Sequence, residues 1–525
     1  MTGNRKIIVV FFIILLSVQL KAQLSPDKLK LFFSSSSLSS NGLQYGKQVK
    51  EFYNAKGFFI SWLTTEGRNN LALLSKYINH SSDVGLRQQD YQPELFKTYN
   101  NALFSAINEE DSLLAEIKFT DAAIHFLHDV LMGNQQERFS YDGLNYQPSC
   151  YDIPEILNQY LMSGKFSSLL NELESTDAAY LLVKSKIFFF RQIISTGNFK
   201  DAVITSPKVN NTNRSLIIRL CQLGFIASDT AMLNEAVLKT TIKEIQTLFG
   251  HLSDGVLRST TLEAFNVPLA ARVAELEYTL NTLRWLNCIK QSNHIIVVNI
   301  PSATLLLYEH GKIVLESRVI VGKKSTPTPS LCSKITEVIL YPYWTVPNKI
   351  ATQELLPVIK LNYTYLQANN FQVLNKQGKV MNPANIDWHV LSRNNFPYTI
   401  RQSTGCDNSL GLIKLNFYNP FSVYLHDTPG KFLFSLNKRY FSHGCMRLQK
   451  AMEVAHYILR NNSIAIDTLE EKGCLKNQAP VTVSATETIP VFVLYHTAWI
   501  DSAASLSFHE DVYNKFPALH KQLHR

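Results

Sequence analysis

Charge is sparse in this chain. Only 18% of its 525 residues are charged, against 46% hydrophobic and 11% aromatic. That balance excludes an intrinsically disordered or acidic solvating chain and leaves ample apolar material for packed cores. No dense run of Lys and Arg marks one face, which argues against a nucleic-acid partner. Its seven cysteines (Cys150, Cys221, Cys288, Cys332, Cys406, Cys445, Cys474) include no Cys-x-x-Cys pair, so a structural zinc site has no framework. No segment beyond the N-terminus is long and apolar enough to span a bilayer. No unit recurs at a fixed period, which excludes a solenoid or propeller. The length exceeds what one hydrophobic core serves, so several domains are expected.

What is present begins with the export signal expected over residues 1–22. Arg5 and Lys6 precede the unbroken apolar run Ile7–Leu16, and Ala22 offers a small residue for cleavage before Gln23. The run is short for a membrane helix, which takes about 20 apolar residues; an uncleaved anchor is the alternative. No cysteine follows closely enough to take a lipid. The formal charge of +9 falls to +6 once Arg5, Lys6 and Lys21 are removed, a mild excess that reads first as a generally basic surface with no specific partner, easier approach to an anionic envelope being the alternative. An exported chain can form disulfides, and an odd cysteine count leaves at least one thiol free. The other six are three bridges or buried thiols.

Residues 25–42 are serine-rich and read as a lead-in. Apolar residues then recur at helical spacing to about Phe199, as in Leu71, Leu74, Tyr77 and Ile78. Residues 200–212 are polar and turn-rich, a candidate linker. Two short helices joined at Asp254-Gly255 follow within 213–268, then one helix from Ala270 to Ile289. From Asn293 the period drops to two: HIIVVNI, TLLLY, KIVLESRVIVG and SKITEVILY read as antiparallel strands with turns at Pro301-Ser302 and His310-Gly311. The stretch 347–401 is irregular and aromatic. Strand character returns in FSVYLHD, 421–427, with Phe421, Val423 and Leu425 on one face and Ser422, Tyr424 and His426 on the other. One further strand is expected at Val491–Leu494.

The chemistry gathers in residues 424–450. Cys445 lies in Ser442-His443-Gly444-Cys445-Met446-Arg447, and His426 ends the strand upstream. A thiol attacks only as thiolate, and its ordinary pKa near ~8.5 must be offset by a base or a positive field. A histidine can take that proton and return it to a leaving amine. It needs an acceptor on its other nitrogen to hold the ring. An oxyanion needs fixed donors, and Gly444 before the thiol lets the backbone take a tight shape. The Gly444 and Cys445 amides are the expected donors. A buried structural thiol is the plain alternative. Zinc would want four ligands, and Cys406, Cys332 and His389 are not spaced to supply them.

The combination of His426 with Ser442-His443-Gly444-Cys445-Met446-Arg447 resembles the signature of the L,D-transpeptidase (YkuD-type) catalytic domain. Asn408-Ser409-Leu410-Gly411-Leu412-Ile413-Lys414 resembles the family's stretch before the histidine strand. Trp344-Thr345-Val346-Pro347 and Glu354-Leu355-Leu356-Pro357 resemble its segment after the early strands. Residues 213–268, with Gln246, Asp254-Gly255, Thr260 or Thr261, and Ala264, resemble a peptidoglycan-binding module. Phe52-Tyr53, Trp62, Gly85-Leu86 and Asp90-Tyr91 resemble the scaffold of large periplasmic members, and Thr497–Asp501 their C-terminal return segment.

The resemblance implies an α+β multidomain envelope protein. Its parts are a signal peptide (1–22), a helical scaffold (23–205), a small helical binding module (206–268) and a linker helix (269–292). A mainly β, sandwich-like catalytic domain (293–480) follows, with a lid inserted at about 348–401, then a C-terminal segment returning to the scaffold (481–525). It implies Cys445 as nucleophile and His426 as proton donor and acceptor, oriented by the Asp427 carbonyl. His443 and Gly444 would line the site or serve the oxyanion. Arg447, Ser442 and Trp344 would contact substrate, with a structural ion pair for Arg447 and a purely structural hydrogen bond for Ser442 as the alternatives. The expected partners are peptidoglycan stem peptides, donor and acceptor, with no nucleic acid, metal or organic cofactor. The expected product is a crosslink between third residues, with carbapenems as acylating inhibitors. After signal cleavage the protein would be periplasmic and not an integral membrane protein. Water or a protein amine as acceptor, giving a carboxypeptidase or a protein-to-wall ligase, and a catalytically dead wall-binding scaffold are the alternatives.

Overall fold

A computed structural model describes residues 24–35, 42–100, 109–135, 137–144, 150–227, 234–292, 294–462, 474–475 and 478–517. The expected signal peptide lies outside the described residues. The chain divides into two compact units. The first takes in residues 1–82, 87–128 and 151–173. It is helical: α1 (Pro26–Ser35), α2 (Gly46–Ala55), α3 (Gly67–Asn79), α4 (Pro93–Asn100), the body of α5 (Glu109–Met132), α6 (Ile153–Met162) and α7 (Leu169–Leu173). Its center is polar as well as apolar. Buried Glu116 accepts from the amides of Ser61, Trp62 and Leu63 and from the Tyr53 hydroxyl. Burial pushes this carboxyl up from its usual range, while those donors pull it back toward the charged form.

The second unit holds the helices α8 (Ala178–Ser195), α9 (Arg214–Leu223), α10 (Glu235–Leu248), α11 (Ser259–Phe265) and α12 (Leu269–Ser292), and everything after them. The expected boundary near 205 falls inside this body, because α8 packs along α12 and shares a core with α9–α11. Nor is 200–212 a loose linker. Ile204 is buried and exchanges two hydrogen bonds with the Asn266 side chain, and Asp201 receives both Arg219 and the amide that opens α12.

The strands are β1 (Tyr141–Asp142), β2 (His294–Asn299), β3 (Thr304–Glu309), β4 (Lys312–Gly322), β5 (Leu331–Leu340), β6 (Trp344–Thr345), β7 (Phe371–Leu374), β8 (Val380–Met381), β9 (Thr399–Gln402), β10 (Ile413–Phe417), β11 (Leu425–His426), β12 (Tyr440–Ser442), β13 (Met446–Leu448), β14 (Val481–Leu494), β15 (Ala498–Ile500) and β16 (Leu506–Phe508). The main sheet runs β1-β5-β10-β11-β13-β4-β3-β2-β14. It closes on itself because β14 also pairs with β5, while β12 adds to β4. The HIIVVN run of β2 lacks polar alternation because both its faces are covered. Ile296 and Val298 point into the sheet's own core, and Ile295 and Val297 pack with Trp285, Leu286 and Ile289 of α12. Helix α16 (Ala451–Leu459) fills the interior with Ala451, Val454, Ala455, Ile458 and Leu459.

Two expectations are corrected here. Residues 481–494, placed outside the catalytic domain, form the strand that closes its sheet; only β15 and β16 leave it, to pack on α8, α10 and α12. The strand read across 421–427 is confined to Leu425–His426. Ser422 sits at φ 55, in the left-handed region, and Asn419 caps the bend by accepting from the Phe421 and Val423 amides. Phe421 therefore leaves the core face and is 43% exposed.

The insertion in the aromatic stretch has its own four-stranded sheet, β6-β9-β7-β8, and its own core around Leu366, Val373, Trp388 and Ile400. It also carries α13 (Asn348–Ile350), a π-helical turn at Ala351–Leu355, α14 (Leu356–Leu361) and α15 (Thr364–Ala368). Among the described residues, no helix is long and apolar enough to cross a membrane.

Candidate active site

Three adjacent strands set the site. In β10, Ile413, Leu415 and Phe417 face the core, so Lys414 faces the other way. Register pairs Lys414 with His426 on β11, and His426 with Arg447 on β13. The three side chains thus form one row across the sheet, on the face opposite Leu425, Met446 and Leu448. Cys445 precedes β13 directly and lies half-buried.

His426 is buried, and its Nδ1 lies 2.5 Å from the Asp427 carbonyl oxygen. A carbonyl only accepts, so Nδ1 carries the proton and Nε2 is the free base in the neutral ring. Burial, then the Arg447 charge, hold His426 far below an ordinary histidine, at about 3. Burial likewise raises the Cys445 thiol, partly offset by hydrogen bonds from Tyr424 and by Lys414 and Arg447. Tyr424 lies edge-on to His426, with ring centroids 5.6 Å apart, and Lys414 Nζ lies 4.3 Å from its centroid. The nearest acids are engaged: Asp427 with Lys431 and the Leu412 amide, Glu337 with the Asn416 side chain.

The turn before Cys445 is held from a strand away. Gly444 has φ +117, a conformation that disfavors any side chain. Thr328 Oγ1 donates to the Gly444 carbonyl (2.8 Å) and accepts from the Gly322 amide (2.9 Å). The Lys323 amide and the Thr326 hydroxyl both donate to the Ser442 carbonyl. Tyr513 braces this brace, donating to the Gly322 carbonyl (2.6 Å) while accepting from the Thr328 amide (3.2 Å).

Two expected roles are corrected by this geometry. The Gly444 amide is no free oxyanion donor, because it donates to Ser442 Oγ at 3.1 Å; the Cys445 amide has no acceptor among the described residues. Ser442 is no substrate contact, because it is buried and its hydroxyl also donates to the Cys445 carbonyl at 2.5 Å. His443 turns away from the thiol turn toward the insertion, 2.7 Å from Glu354 Oε1 and 3.4 Å from Lys323 Nζ. Trp344 sits half-buried on β6, packed beside Phe371 in the insertion's core. Arg447 has no hydrogen bond or ion pair among the described residues, and its Nε is buried without a partner. Lys414, Tyr424, Thr328, Tyr513 and Glu354 were not singled out from sequence as site residues. Of these, Lys414, Tyr424 and Glu354 carried a signal, inside stretches already noted.

In the helical module, Gln246 is buried and spends its amide on the Asp254-Gly255 turn and the Val256 carbonyl. These motif residues hold the module's own turn. Disulfides join Cys150 to Cys288 and Cys406 to Cys474; Cys221, Cys332 and Cys445 are free thiols. Neither three bridges nor six buried thiols is therefore the outcome.

The site is thus a cysteine turn beside a strand-end histidine in a closed, mainly β domain. Residues 293–482 match the family model of the L,D-transpeptidase catalytic domain (YkuD), and residues 47–186 that of a scaffold domain. The match to the catalytic-domain model thus follows the match to the scaffold-domain model along the chain. A Haemophilus influenzae protein named "Putative L,D-transpeptidase" is 38% identical over 207 residues, which cover 39% of this chain and 42% of that protein. The chain therefore spans about two fifths of the length of this curated relative. Among solved structures, an L,D-transpeptidase from Mycobacterium smegmatis is 14% identical over 38% of this chain and 58% of its own, with a TM-score of 0.19. An Enterococcus faecium L,D-transpeptidase C442S mutant is 12% identical over 39% and 50%, with a TM-score of 0.17.

Proposed function

We propose that the protein is an L,D-transpeptidase that crosslinks peptidoglycan stem peptides through a Cys445 thioester. The observation that carries this reading is the placement of Cys445 beside β13, next to the strand whose His426 has Nδ1 committed to the Asp427 carbonyl. The family match of residues 293–482 supports the reaction class.

In this reading Cys445 Sγ attacks the carbonyl of the third residue of a donor tetrapeptide, giving up its proton to His426 Nε2. The tetrahedral oxyanion forms near the Cys445 amide. The C–N bond to the terminal D-alanine breaks, and His426 returns the proton to the departing amine. A side-chain amine from a second stem's third residue then attacks the thioester carbonyl, losing a proton to His426. The C–S bond breaks and the thiol is restored. The product is a bond between two third residues, and the bond count is unchanged, so no cofactor is needed. An extracytoplasmic site of action is supported by the two disulfides, which persist in oxidizing compartments.

The test is intact-protein mass spectrometry with a donor tetrapeptide and with meropenem, beside Cys445→Ala. A Cys445-dependent adduct, followed by crosslinked dimers between third residues in the peptide products, is the expected result. Tripeptide alone would mean water is the acceptor. No adduct on folded, alkylatable protein would remove the reading.

A further inference from the structure

The row Lys414–His426–Arg447 carries two cations and no anion. Their registers place them on one face of three neighboring strands, with Cys445 beside the last. The acids close by are bound elsewhere: Asp427 to Lys431, Glu337 to Asn416. Lys414 rests on the Tyr424 ring and makes no ion pair among the described residues; Glu337 favors its charge only from beyond contact. Arg447 has no partner there at all, and its Nε is buried. A guanidinium and an ammonium that are both short of anions, with a neutral imidazole between them, are costly to leave unfilled. A carboxylate is the ligand that satisfies both, since the Arg fork binds it at two points and the Lys adds a point charge.

We infer that Lys414 and Arg447 form an anion subsite beside Cys445 that binds a free carboxylate of the donor stem. This rests on the transpeptidase reading and adds what the donor must carry. Two groups of a tetrapeptide donor share that chemistry: the C-terminal carboxylate of the departing D-alanine, and the side-chain carboxylate of a diaminopimelate third residue. An amide at the recognized position would keep the size but lose the charge, leaving both cations unpaired.

The experiment compares three synthetic tetrapeptides with meso-diaminopimelate as third residue: the free acid, the C-terminal D-alaninamide, and the side-chain carboxamide. The readout is single-turnover acylation of the full chain, followed by intact mass. Wild type should acylate from the free acid about 10- to 100-fold faster than from one of the two amides, the usual weight of a charge-assisted contact. Which amide is slow identifies the carboxylate. In Arg447→Gln and Lys414→Met the acid-to-amide ratio should fall toward one, and Arg447→Lys should keep part of it. The ratio cancels any change in thiol reactivity, so a role confined to the thiolate would slow all three donors equally. Equal acylation from all three by wild type, or ratios unchanged in both variants, overturns the subsite alone. No acylation from any donor, with Cys445 still alkylated by iodoacetamide, overturns the transpeptidase reading and the subsite with it.

Discussion

Replacing Thr328 by Val tests whether the catalytic turn is held from outside itself. The substitution keeps the shape of a fully buried side chain and removes one hydroxyl. That hydroxyl donates to the Gly444 carbonyl and accepts from the Gly322 amide, both in buried surroundings. Two backbone groups would be orphaned at about 1–3 kcal/mol each, so the expected loss is about 2–6 kcal/mol. For a body of this size that lowers the transition of the catalytic unit by about 5–15 °C in calorimetry. Thr328→Ser keeps both hydrogen bonds and loses a methyl, at a cost of about 1 kcal/mol. Activity should fall out of proportion to stability. Gly444 is held at φ +117 by that bond, and a shift of about 1 Å in the neighboring thiol costs on the order of 100-fold in rate. Val and Ser variants that match in melting temperature and in acylation rate would refute the brace.

Other perturbations separate the remaining contacts. Gly444→Ala would meet nothing closer than 3.6 Å, so its cost is conformational, about 1–3 kcal/mol, and should appear in both urea midpoint and acylation rate. Glu354→Gln weakens a partly exposed pair with His443, worth under about 1 kcal/mol; global stability should hold while hydrogen exchange across 348–361 speeds up, and unchanged exchange would show that the contact does not tie the insertion down. His426 sits below its unfolded pKa, so the unfolded chain takes the proton first. Its contribution is complete above pH 6.5 and is lost as pH falls from there toward about 3, at about 1.4 kcal/mol per unit. The stability difference between wild type and His426→Gln should therefore narrow or reverse between pH 7 and pH 4; a constant difference would count against a buried neutral ring.

The residues legible in sequence were those whose signal is local. Cys445, Gly444 and His443 are contiguous, and His426 stands at a fixed remove, so one segment carried the chemistry. The β-branched runs from residue 294 onward announced strands, and His310-Gly311 its hairpin, both residues having positive φ. What escaped was made by long-range pairing. Thr328 reaches the turn from 116 residues away in sequence, Tyr513 reaches Thr328 from 185, and nothing in their neighborhoods is unusual for a loop. Lys414 sits in an alternating strand where an outward lysine is the ordinary expectation; only the β10–β11–β13 register makes it a neighbor of the thiol. Ser442 is ambiguous in sequence for the converse reason. Its place in the motif suggested contact with substrate, whereas its hydroxyl is consumed by the turn's own backbone.

The resting charge of the pair follows from the same burial that builds the site. A raised thiol and a depressed imidazole both oppose a standing thiolate–imidazolium pair. Arg447 and Lys414 favor the thiolate but oppose protonation of His426, so they pull the two halves of that ion pair in opposite directions. Both shifts favor a neutral thiol and a neutral imidazole at rest, so in the proposed reaction the proton would cross as Sγ attacks. A proton held by His426 beside Arg447 is then unstable there, which favors its delivery to the leaving amine. Iodoacetamide, being uncharged, reads this directly when Cys445 is followed by peptide mass, apart from Cys221 and Cys332. Its rate should climb with pH through and above neutrality, and in Arg447→Gln the climb should move to higher pH because one cation favoring the thiolate is gone. A rate already at its plateau at pH 5 would mean a preformed ion pair, and burial would then not be what sets the charge of this site.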